Sequence, residues 1–153
     1  GEVMAIGRTF QESFQKALRG LEVGSDGLDE HSSDRDEIVE ELGEPGPDRI
    51  WFVGDAFRIG MTLSEVFEET AIDPWFLAQI EELVQVEGRV KERQLADVGA
   101  EELRYLKRKG FSDRRLAKLL GATPAEVRSA RLALGVHRDE TLIQRHVIVL
   151  VLI

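Results

Sequence analysis

The feature that most constrains this chain is the recurrence of helix start and stop signals from Thr9 to Gly135. Thr9 precedes Glu12 by three residues and Thr62 precedes Glu65 by three, the spacing of a capping box. Asp73-Pro74 sets an N-cap before a proline at the first helical position, where its fixed φ is favourable. Ser112 and Thr123-Pro124-x-Glu126 open two further helices, and Gly20, Gly110, Gly121 and Gly135 supply stops. Between these marks the apolar residues fall on one helical face. Phe10, Phe14, Ala17, Leu18 and Leu21 form one stripe, and Phe76, Leu77, Ile80, Leu83, Val84 and Val90 form another. The second helix is expected to run from Pro74 to about Arg93, with Gly88 as its weak position.

Glu101–Lys109 reads as a helix closed by Gly110, and Trp51–Ile59 as a buried helix after the Pro45-Gly46-Pro47 breaker. Consecutive apolar residues in the latter leave a short strand as its alternative. No β-rich block occurs before the tail and no internal repeat of useful period is present, so the expected fold is all-α. It is a compact multi-helix domain of about seven or eight short helices. Three stretches fall outside it. Gly1–Arg8 alternates weakly without a cap and reads as an orphan strand. Val23–Asp36, rich in Gly, Ser and Asp, reads as a mobile loop. The segment from Val136 ends in VIVLVLI, an irregular apolar tail of high β propensity whose removal from residue 140 is expected to leave helicity intact and improve solubility.

Composition narrows the chemistry. At 153 residues the chain is long enough for one core without covalent staples. It contains no cysteine, which excludes thiol catalysis, thiolate metal sites and disulfides, and makes a cytoplasmic setting the default. The longest apolar run is seven residues, Val147–Ile153, against the roughly 20 needed to span a bilayer, so no membrane partner is expected. The N-terminus lacks a basic region followed by an apolar run, and so does not read as a signal peptide. The net charge of −9 is uneven. Residues 1–100 hold 9 Lys/Arg against 23 Asp/Glu, and residues 101–138 hold 10 against 4.

No phosphate loop, dinucleotide glycine pattern, HExxH or GxSxG motif is present. His31, His137 and His146 have no partner at helical metal-site spacing and read as solvated. The pairs Glu40-Glu41, Glu68-Glu69, Glu81-Glu82 and Glu101-Glu102 diverge by about 100° along a helix and cannot converge on one pocket unaided. Trp51, Trp75 and Phe76 read as core, with a cost of about 3–5 kcal/mol expected for Trp75→Ala or Leu77→Ala. The sequence therefore offers no catalytic, cofactor-binding or metal-ligating residue. The basic third remains. Residues 112–134 form two capped helices joined at Gly121, and Ala117, Gly121 and Val127 have helix-turn-helix spacing. In that reading Arg128, Ser129 and Arg131 face a duplex, while Lys107, Arg108, Lys109, Arg114 and Arg115 meet phosphates. The bland alternative is that these cations complement an acidic neighbour, and nucleic acid is the less favoured partner.

Three blocks bring in a family. GEVMAIGRTFQESFQKALRGLE, DRIWFVGDAFRIGMTLSEVFEETAIDPWFLAQIEELV and LRYLKRKGFSDRRLAKLLGATPAEV together resemble the large chain of carbamoyl-phosphate synthase. The matching part is its helical linking segment, the oligomerisation domain, and the likeness spans about Gly1 to Gly135. The resemblance implies a non-catalytic domain that joins two ATP-grasp halves and contributes to homo-oligomer formation. In such an enzyme those halves, with ATP and Mg or Mn, convert bicarbonate and ammonia from a small glutaminase chain into carbamoyl phosphate for arginine and pyrimidine biosynthesis. It further implies three parts: 1–8 as the remnant of the preceding half, 9–135 as the helical domain, and 136–153 as a tail foreign to the family. The family continues after this point through a Pro-Val-Tyr-Lys-Arg type segment, whereas this chain reads HRDETLIQRHVIVLVLI. A fragment of a longer protein is the expectation, without ATP, metal or tunnel residues of its own.

Overall fold

The computed structural model describes the backbone of residues 2–137 and 147–152, with side chains over 3–137. Eight α-helices make up the body: α1 Phe10–Gly20, α2 Arg35–Gly43, α3 Arg49–Arg58, α4 Leu63–Thr70, α5 Pro74–Lys91, α6 Ala100–Arg108, α7 Asp113–Leu120 and α8 Pro124–Ala133. The caps act where the sequence places them. Thr62 with Glu65 and Thr123 with Glu126 close complete capping boxes, and the Asp73 carboxylate accepts from the Trp75 amide. Thr9 caps α1 through the Glu12 amide, but the Glu12 carboxylate turns instead to the Arg8 amide at 2.8 Å. Trp51–Ile59 is helical, and α5 passes through Gly88 without interruption.

One core runs through the body. Phe14 and Leu18 of α1, Trp51 and Val53 of α3, Leu77, Ile80 and Leu83 of α5, Leu103 and Leu106 of α6, and Leu116 and Val127 of α7 and α8 are all buried in it. Burial of this apolar set is the main term that holds short, individually marginal helices in place. Two glycines beside it allow close approaches of backbone to α1. A Cβ on Gly110, whose φ is +96°, would lie 2.8 Å from the Glu12 Cα, and one on Gly7 would lie 2.6 Å from the Ser13 amide nitrogen. The first turn of α1 is thus clamped between two backbones that only glycine allows so close.

Three expectations require correction. Helix α2 lies in a stretch with no helical assignment from sequence; its apolar face is only Ile38, Val39 and Leu42 amid acidic residues, too short a stripe to stand out. The Val23–Asp36 loop is not a free surface segment, because Asp26, Gly27 and Leu28 are buried. The N-terminal strand is not an orphan. Strand β1, Glu2–Gly7, pairs antiparallel with β2, Val147–Leu152, with Glu2 opposite Leu152 and Gly7 opposite Val147. That part of the tail is therefore a strand rather than irregular chain, as its β-branched composition permits. Residues 138–146, and His146 with them, lie outside the described residues.

Candidate functional site: a buried ionic hub and an exposed aromatic face

The most heavily bonded side chain is Arg115, in α7, which is 3% exposed. Its Nε and one Nη donate to both oxygens of Glu87 at 2.9 and 2.8 Å, a bidentate pair. The same guanidinium reaches Asp26 at 3.1 Å, Asp29 at 2.7 Å and the Leu28 carbonyl at 2.7 Å. Burial opposes its charge, but the Glu87 hydrogen bond and the surrounding carboxylates outweigh that and hold its pKa above the usual guanidinium range. Arg58 forms a second layer. It bonds Asp55 at 2.8 Å, touches Glu87 at 3.3 Å and donates to the Leu28 carbonyl. Asp55 in turn accepts from the His31 and Ser32 amides, each at 2.9 Å, and Trp51 Nε1 donates to the Gly27 carbonyl at 3.0 Å. The loop is pinned from three helices at once, which is why its glycine and serine content misleads.

The basic hairpin has the expected backbone and a different electrostatic role. Ala117 and Val127 are buried at the α7–α8 contact, and Gly121 takes φ +64° at the turn. Arg131, expected to face a duplex, is 3% exposed; it bonds Asp113 at 3.2 and 3.0 Å and the Val136 carbonyl at 2.8 Å. Arg115 is consumed by the hub. Lys107 donates to Asp113 and Lys109 to Glu82, so these cations bind carboxylates rather than solvent. Arg108 and Arg128 remain exposed, and Arg114 stays outward, 3.6 Å from Asp26. The positive charge of this third is largely turned inward against acidic residues, and two of the residues assigned to DNA contact are unable to make it.

The aromatic assignments also change. Trp75 is 54% exposed and Phe76 42% exposed, so neither is core. Both occupy the first turn of α5, which begins at Pro74, and the inward direction falls on Leu77, the next residue, and on Ile80 one turn further. With Phe10 they form a surface cluster whose ring centroids lie 5.0–5.4 Å apart. Exposed aromatic clusters of this kind mark contact surfaces more often than isolated apolar residues do. Trp51 is core, as expected, with the exposed His31 ring stacked on it at 5.5 Å. His137 is exposed as well.

Among the described residues no group of three His, Asp or Glu side chains is placed to hold a metal ion, and no helix is long and apolar enough to cross a membrane. Of the four adjacent glutamate pairs, Glu82 is tied to Lys109 and Gln11, which lowers its pKa through the Lys109 hydrogen bond.

Comparison with known proteins gives these features a context. The sequence profile of the carbamoyl-phosphate synthetase large chain, oligomerisation domain, matches residues 2–135. The carbamoyl phosphate synthase large chain of Ralstonia nicotianae is 69% identical over 133 residues, which cover 87% of this chain and 12% of that protein. Those of Neisseria meningitidis serogroup B and Pseudomonas syringae pv. tomato are 59% and 55% identical over about 90% of this chain and 13% of theirs. The chain thus spans about one-eighth of the length of the relatives it matches, in one contiguous helical body. It belongs to the family of the carbamoyl-phosphate synthetase large chain, oligomerisation domain.

Proposed function

We propose that these residues act as a non-catalytic linking and self-association module within a carbamoyl-phosphate synthase large chain. The observation that carries this reading is the family match over 2–135, covering the whole helical body within relatives of which it forms only about one-eighth. Supporting it, the ionisable groups most deeply placed here are paired with opposite charges, Arg115 with Glu87, Asp55 with Arg58 and Arg131 with Asp113, and hold loops and helices in register. Charge networks paired within the fold suit a spacer, whereas a proton-transfer or nucleophilic site needs a group left poised. The Phe10–Trp75–Phe76 face is the surface on which a neighbouring part of the large chain would dock.

On this reading the parent enzyme is an ATP-dependent ligase. It forms carbamoyl phosphate from bicarbonate and glutamine-derived ammonia in the cytoplasm, for arginine and pyrimidine biosynthesis. Its two ATP-grasp halves would hold ATP with Mg or Mn, and a small glutaminase chain would supply ammonia. Residues 1–8 would close the preceding half, 9–135 form the module, and 136–153 lie outside the family pattern. The test is to incubate the chain with ATP, Mg, bicarbonate and ammonia. No phosphate release above a protein-free blank is expected, and release that stops when bicarbonate or ammonia is omitted would contradict the reading.

A further inference from the structure

A recess of about 640 Å³ opens between α1, α6 and the end of α8, and its lining is dominated by cations. Arg104, Lys107 and Arg108 come from α6, Lys16 and Arg19 from α1, and Arg8 from the turn before α1. Glu12 is the one carboxylate among its described lining residues, and it is already engaged by Arg8 and Lys16 at 3.0 Å each. Arg104 and Arg108 stand one turn apart on α6 and take no hydrogen bond or ion pair among the described residues. Between them Lys107 is partly buried. Its pKa is held below the usual lysine value by desolvation and, in smaller part, by the neighbouring Arg131 and Arg19, despite its bond to Asp113. Among the described lining residues Arg104 and Arg108 thus have no carboxylate partner, in a concave site of the size that encloses small ligands.

We propose that this recess binds a multiply charged oxyanion of the phosphate class, gripped by Arg104 and Arg108, with the paired Lys107 and Lys16 lining the recess beside them. Guanidinium forks one turn apart can each present paired N–H donors to a phosphoryl oxygen, and lysines add point charge without demanding geometry. Two unpartnered guanidinium groups side by side match the two or more negative charges of a phosphate or diphosphate better than the single charge of a carboxylate. None of these residues belongs to the aromatic face or the hub.

The probe is inorganic pyrophosphate, titrated calorimetrically into the chain at ~50 mM salt, where exposed charges are weakly screened. Saturable one-to-one binding is expected, with the Gly110 and Ser112 amide signals shifting in NMR spectra of the unaltered chain. The Arg104→Gln/Arg108→Gln double variant should bind about tenfold more weakly or worse, from the loss of two charge-assisted contacts. Arg89→Gln/Arg128→Gln removes the same charge from surfaces outside the recess and should bind as the unaltered chain does. Equal weakening by both pairs would reduce the effect to net charge and overturn the proposal. Absence of saturable binding, or amide shifts spread over the whole surface, would overturn it too.

Discussion

Arg115 and Glu87, 28 residues apart in sequence, meet in a bidentate ion pair at 2.9 and 2.8 Å with both side chains 3% exposed. The pair joins the middle of α7 to the C-terminal half of α5. Through Asp26, Asp29 and Leu28 it also fixes the loop between α1 and α2. Removing one partner leaves an uncompensated buried charge. Arg115→Ala and Glu87→Ala should each lower stability by about 3–5 kcal/mol, and the double variant by much less than their sum. Urea unfolding of the three variants measures this; additive losses would show the two side chains to be uncoupled.

Gly110 and Gly121 separate a steric from a conformational requirement. Both have positive φ, +96° and +64°, but only at Gly110 does an added Cβ meet backbone, the Glu12 Cα at 2.8 Å. Gly121→Ala should cost about 1 kcal/mol, the left-handed penalty alone. Gly110→Ala should cost about 3 kcal/mol or more, because α1 must also move. Equal shifts in melting temperature would contradict the close approach of α1 to this turn.

In the helix α5, substitution should discriminate two adjacent directions. Leu77 is fully buried, and its replacement by Ala should cost about 2–5 kcal/mol. Trp75, being half-exposed against Phe10 and Phe76, should cost at most about 1.5 kcal/mol on replacement by Ala, the scale of aromatic pair contacts. Thermal melts of the two variants settle the comparison, and a larger loss at Trp75 would restore it to the core.

Acidification should weaken the C-terminal hairpin through Asp113. Burial alone would raise its pKa, but hydrogen bonds from Arg131 and Lys107 outweigh that and hold it below its ordinary 3.8. A carboxyl depressed on folding contributes its stabilisation above the unfolded value and loses it as pH falls through the folded value. Glu12 and Asp29 are lowered too, burial again being overcome, by bonds from Arg8 and Lys16 and from Lys118 and Ser25 respectively. Stability should therefore fall below pH ~4 and recover on return to neutrality. Asp113→Asn should flatten part of that dependence; an unchanged acid profile in this variant would contradict the assignment.

What the sequence showed and what it hid follow from the range of the interactions. Thr62 with Glu65, Asp73 with Pro74 and Thr123 with Glu126 are contacts within one helical turn, so their spacing suffices to place α4, α5 and α8. The partners of Arg115 lie 28 to 89 residues away, and no local pattern distinguishes an arginine aimed at Glu87 from one aimed at solvent. The same limit applies to Arg131, whose acid is 18 residues back at Asp113. The loop around Leu28 carries too few apolar residues to reveal its burial. Trp75 and Phe76 misled in the opposite sense, because α5 starts at them and periodicity cannot tell which end of a stripe has nothing packed over it.

The most direct test of the linking role is transplantation. Residues 2–135 would replace the matching segment of the Ralstonia nicotianae large chain, which is 69% identical over 133 residues. ATP-dependent carbamoyl-phosphate formation and the sedimentation profile would then be compared with the unaltered parent. A module that joins and assembles the rest of the chain predicts both at the parent's level. A folded chimera that still hydrolyses ATP but no longer forms carbamoyl phosphate or reaches the parent's assembly state would contradict it.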